Sequence, residues 1–101
     1  MTNFADVIKP VLSESISLKL MSASITSQQL LTASFQRRLA TFYNHSAHDL
    51  FLSFGSTATP TYFTVKLQSG SFYELMKPVY QGTIHGVWSA ATGSCMVTEG
   101  A

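Results

Sequence analysis

The sequence predicts an all-β protein, a compact antiparallel β-sandwich or jelly-roll-like barrel. Three observations predict it. From Arg38 to Glu99, short runs of alternating apolar and polar residues are separated by clusters of Gly, Pro, Asn, Asp and Ser. With two strands ahead of Arg38, these runs make about eight short strands, spaced as in a sandwich or barrel. The chain of 101 residues is the size of one domain that buries a real core without disulfides or metals, and no internal repeat or linker divides it. Residues 16–101 therefore read as the β-sandwich domain and residues 1–15 as an N-terminal arm or short helix.

The first fifteen residues differ from all that follows. Phe4, Val7, Ile8, Val11 and Leu12 recur at helical spacing, and Asn3 with Asp6 can cap a first turn. Pro10 removes a backbone donor and ends or kinks a helix there. So short a helix is marginal alone, which leaves two readings: a helix packed on its own domain, or an arm reaching a neighbouring subunit.

Residues 16–20 alternate cleanly and place Ile16, Leu18 and Leu20 on one face of a strand. A turn near Thr26 and Ser27 and a short strand over 29–33 follow, then a strand over 38–44 and a turn over 44–49. Leu50–Phe54 sets Leu50, Leu52 and Phe54 on one face. Residues 55–61 form a loop, because Pro60 cannot donate to a sheet ladder. A strand over 62–67 puts Phe63, Val65 and Leu67 on one face. A tight turn at Gly70 leads into a strand over 72–75, and residues 76–81, with Pro78, form a connection. Strands over 83–89 and 94–99, joined by a hairpin turn at 90–93, close the domain.

Composition narrows the function. Hydrophobic residues reach 46% while charged residues are only 11%, less than half of the roughly 25% usual for soluble proteins. A surface so poor in charge is poorly protected against association, which points to burial against other subunits. The net charge of +1, with Arg37-Arg38 as the only basic pair, argues against nucleic acid. There is no apolar run of about 20 residues to span a membrane and no basic-then-apolar start that reads as a signal peptide. The single Cys95 excludes an internal disulfide and reads as a small buried hydrophobe within a strand.

Candidate chemical sites are weak. His45 and His48 flank a turn beside Asp49, and a metal would need a third ligand for which only His85 remains among the histidines. Solvated turn histidines are the expectation, with no metal or cofactor. Asn44-His45-Ser46 fits the glycosylation sequon, yet Asn is also a good turn residue. Nothing resembles a nucleophile elbow, and the β core carries only Asp49, Glu74 and Glu99 as carboxylates, so no enzyme is expected. Trp88 shares a strand face with Ile84 and Gly86 and reads as core. Tyr62 and Tyr80 divide between interface and solvent.

Several segments carry a family resemblance. They are Tyr43-Asn44-His45-Ser46-Ala47 with Asp49-Leu50-Phe51-Leu52-Ser53-Phe54-Gly55, then Phe63-Thr64-Val65-Lys66-Leu67, and Gly70 leading into Phe72-Tyr73-Glu74-Leu75. Tyr80-Gln81-Gly82-Thr83-Ile84 and the run Gly86-Val87-Trp88-Ser89-Ala90-Ala91-Thr92-Gly93-Ser94 with Val97-Thr98-Glu99 complete the set. Together they resemble a group of small virion proteins of tailed bacteriophages, over roughly residues 37–99. The resemblance implies a non-enzymatic capsid cement or decoration protein on the capsid surface. Its implied partners are the major capsid protein and further copies of itself, a trimer by family habit. A tail, baseplate or fibre module for host attachment, or a head-to-tail adaptor, are the alternatives. In this reading Phe4, Val7, Ile8, Val11 and Leu12 dock the arm, and Tyr62 and Tyr80 lie at subunit contacts.

Overall fold

The computed structural model describes residues 15–101. They form eight strands: β1 (Ile16–Ser22), β2 (Gln28–Leu31), β3 (Leu39–His45), β4 (Leu50–Phe54), β5 (Val65–Leu67), β6 (Phe72–Glu74), β7 (Ile84–Trp88) and β8 (Ser94–Gly100). Two four-stranded antiparallel sheets result, one in the order β1-β8-β3-β6 and the other β2-β7-β4-β5. The β-sandwich expected from the alternation is the fold observed. Expected strand boundaries fall within a few residues of those found, except ahead of β5. The expected arm or helix over 1–15, with Phe4, Val7, Ile8, Val11 and Leu12, lies outside the described residues but for Ser15.

The core is filled by the period-two faces that turn inward from both sheets. Ala40 and Phe42 from β3 and Cys95 and Val97 from β8 meet Leu50 and Leu52 from β4 and Ile84 and Trp88 from β7. Trp88 is buried as its strand face predicts, although its indole Nε1 has no acceptor among the described residues. A donor left in that state costs about 1–3 kcal/mol. Gly86, between Ile84 and Trp88 on the same face, admits the Leu30 and Leu50 side chains, whose Cδ1 atoms lie 2.8 and 3.2 Å from where a Cβ would stand. The rings of Phe42, Tyr73, Phe54 and Tyr80 then run from one sheet to the other, with centroids 6.5, 6.4 and 5.0 Å apart in turn.

Two departures from simple alternation have local causes. Leu30 and Leu31 are adjacent yet both buried, because the β2–β7 register shifts between Gln29 and Leu31. Such a bulge re-aims a side chain that a regular strand would turn to solvent. The second departure corrects the strand expected over 62–67. The ladder starts only at Val65, and Phe63 does not share a face with Val65 and Leu67. Phe63 packs instead against Phe51, the rings tilted by 56° with centroids 5.0 Å apart. Phe51 belongs to the outer face of the β4 sheet, where it forms a small cluster with Ala58 and Val87. Residues 55–64 thus fold back over that sheet. Pro60, unable to join a ladder, sits within this cover, and an isolated Thr59–Tyr62 bridge closes it. One sheet therefore has both faces covered.

Candidate interaction surface

The outer face of the other sheet has no such cover among the described residues. Register fixes which side chains share it, since directly paired residues point to the same side. Leu20 pairs with Met96, Met96 with Tyr43, and Tyr43 with Phe72, giving one row across all four strands. At roughly 4.8 Å per strand spacing the row is about 14 Å long. The adjacent row is Leu18, Thr98, Thr41 and Glu74, and beyond it stand Ile16, Gly100 and Leu39. Leu20 is 62% exposed, Phe72 60%, and Ile16 and Leu18 61% each. Glu74 is the single carboxylate in these rows and stands at one corner. Continuous apolar exposure of this kind marks interaction sites in soluble proteins.

Beneath this face, polar groups are used to hold the fold. Arg37, half of the basic pair, is 1% exposed. Its Nε donates to Glu99 Oε2 at 2.7 Å, one terminal nitrogen donates to the Tyr80 and Gly82 carbonyls at 2.8 and 2.9 Å, and the other donates to the Thr32 carbonyl. The planar guanidinium fork suits that spread of acceptors. One side chain so joins the end of β2, the connection before β7 and strand β8.

Asn44 plays the corresponding part at the opposite end. Its amide donates to the carbonyls of His48, Leu67 and Gln68 at 2.7, 2.9 and 3.2 Å and accepts from Ser46 Oγ at 2.7 Å. Fully buried and engaged, Asn44 has no accessible amide for the sequon chemistry. The turns around it enclose an open hollow of about 350 Å³ that includes Tyr43, His45 and Ser69. Ser69 Oγ is already committed to the Ser46 carbonyl. The hollow is a crease between turns, not a polar site awaiting a ligand.

The remaining chemical candidates separate. His85 Nδ1 lies 2.6 Å from the Gly55 carbonyl, which can only accept, so that nitrogen carries the proton. His45 ends β3, paired with Ser94, and His48 stands in the turn that follows. No group of three His, Cys, Asp or Glu gathers at one point among the described residues. Cys95 is buried, and burial pushes its thiol up to about 12, against a smaller lowering from a hydrogen bond with the Tyr43 backbone.

Of the residues nominated from sequence, Tyr62 stands 82% exposed on the cover loop. Tyr80 is half-buried and stacks on Phe54 at an interplanar angle of 11°, within its own subunit. The outer row of Leu20, Met96, Tyr43 and Phe72 was not among those nominations. Its signal is present in β8, where Met96 alternates with the buried Cys95 and Val97 and so must stand on the opposite face. No protein-family model, curated protein or solved structure matches the chain.

Proposed function

We propose that this chain is a non-enzymatic structural protein of a tailed-phage virion, a capsid decoration or cement subunit that binds neighbouring copies of the major capsid protein. The observation that carries this reading is the outer face built from Leu20, Met96, Tyr43 and Phe72, which no described residue covers. A monomer in water gains nothing from leaving that face open while residues 55–64 cover the corresponding face of the other sheet. A subunit that spends its working life against other proteins does gain. The resemblance of residues 37–99 to small virion proteins supplies the setting, and the low charge of the whole chain agrees with it.

The mechanism is reinforcement by mass action. A protein that binds the assembled lattice and not its dissociated subunits stabilises the lattice by its binding free energy. The apolar row supplies contact area, and the rigid double sheet beneath it holds that area in shape before binding.

The test mixes purified protein with capsids that lack it and measures co-sedimentation and the temperature at which the shells rupture. Wild-type protein is expected to bind and to raise that temperature. A Leu20→Ser/Phe72→Ser variant is expected to fold as well as wild type and to do neither. Antibody label confined to the tail tip of intact particles would overturn the capsid reading in favour of a tail or baseplate module.

A further inference from the structure

We infer that β1 is a pairing edge for a second copy of this chain, joined antiparallel about a two-fold axis that passes through Leu18. The inference stands on β1 itself and holds whether or not the chain belongs to a virion.

Each sheet has two edge strands, and three of the four are blunted. β5 and β6 are three residues long and carry Lys66 and Glu74, while β2 is four residues long and bulged. Short, charged or bulged edges are the devices by which β proteins prevent edge-to-edge association. β1 is neither short nor bulged. It is seven residues long and pairs with β8 without a break from Ile16–Gly100 to Ser22–Ser94. Its one charge, Lys19, lies on the face it shares with Met21, opposite Ile16, Leu18 and Leu20.

The ladder fixes which backbone groups have no partner among the described residues. Ser15 and Ala101 exchange both hydrogen bonds, and Ala23 N–H reaches the Gly93 carbonyl, so odd-numbered β1 residues face β8. Ile16, Leu18, Leu20 and Ser22 therefore direct their N–H and C=O groups away from the sheet. The Ser22 carbonyl already accepts from Gln28 Nε2. That leaves Ile16, Leu18 and Leu20 as a self-complementary set. An antiparallel partner that bonds Leu18 to Leu18, and Ile16 to Leu20 in both directions, satisfies every one of those groups.

Charge selects the same register. A shift that centres the axis on Lys19 sets two like charges directly opposite each other, which is unfavourable. Centring on Leu18 places Lys19 beside Ser17 of the second copy and aligns Ile16, Leu18 and Leu20 against their equivalents. In such β-addition the main-chain bonds give affinity and the alternating side chains give register. The two-fold lies perpendicular to the sheets, so the apolar rows of both copies face the same way and form one continuous surface.

The experiment uses full-length protein. Sedimentation over a dilution series is expected to show a monomer–dimer equilibrium. Leu18→Lys is expected to abolish the dimer while leaving the far-ultraviolet circular dichroism and Trp88 fluorescence unchanged, because this side chain is exposed. Under mild oxidation Leu18→Cys is expected to cross-link to itself. Leu20→Cys is expected to cross-link only when mixed with Ile16→Cys. A monomer at all concentrations, a trimer, a dimer indifferent to Leu18→Lys, or self-linking at Leu20→Cys would each overturn the inference.

Discussion

Replacing Arg37 with Met is the sharpest probe of how this sandwich is held together. The substitution keeps length and apolar stem but removes the guanidinium from the Glu99 carboxylate and from the carbonyls of Thr32, Tyr80 and Gly82. Breaking a buried ion pair by removing one partner costs about 3–5 kcal/mol, since the other groups stay desolvated. Glu99 retains 23% exposure of its side chain and can recover some water, so the lower end of that range, about 3 kcal/mol, is expected. That is a large fraction of the roughly 5–15 kcal/mol that stabilises a domain. At about 4–8 °C per kcal/mol for a domain this small, melting falls by at least about 12 °C. Urea titration followed by fluorescence of the single, buried Trp88 measures the change directly. Arg37→Lys keeps the charge but cannot span four acceptors from one ammonium, and should recover only part of the loss. A loss below about 1 kcal/mol for Arg37→Met would refute the reasoning, because it would mean that the three carbonyls and the carboxylate rehydrate freely.

Two further outcomes follow from the buried polar groups. Asn44→Ala should lose about 2–3 kcal/mol in the same titration by leaving carbonyls unpaired, and Asn44→Asp should lose more, because its oxygens then face three carbonyl oxygens. Cys95 should react with a thiol reagent only as fast as the protein unfolds. Its folded-state value of about 12 lies above the ordinary 9.0, so its contribution to stability is complete below pH 9 and is lost as pH rises from 9 towards 12. A Cys95→Ala variant should show a flatter stability profile across that window.

Much of the fold was legible because period-two alternation reports which residues share a face. Leu50 with Leu52, and Ile84 with Trp88, are paired by alternation in the sequence and sit together in the core. Alternation does not report what covers a face. Ile16, Leu18 and Leu20 share one side of β1 as read, yet that side looks outward, a fact set by the order of strands and not by anything within β1. Arg37 was legible only as half of a basic pair. Its acceptors lie 43, 45 and 62 residues further on, at Tyr80, Gly82 and Glu99, and no local pattern announces them. Phe63 failed for a related reason. Counting by twos through 62–67 assumes an unbroken ladder, and the cover loop breaks it just before Val65.

The unequal treatment of the two outer faces is where fold and function meet. Phe51 and Val87 are no more apolar than Leu20 and Phe72, but Ala58 and Phe63 shield the first pair and nothing described shields the second. The same chain thus contains both a solution to apolar exposure and an instance where the solution is withheld. Fully burying a side chain such as Leu or Phe stabilises a protein by about 1.5–3 kcal/mol. Ile16, Leu18, Leu20 and Phe72 forgo that gain within the described residues. The assembly proposed above would draw on the hydrophobic effect that folding left unused. Because the open face ends at β1, the edge proposed to pair between copies would also govern how far the apolar surface extends.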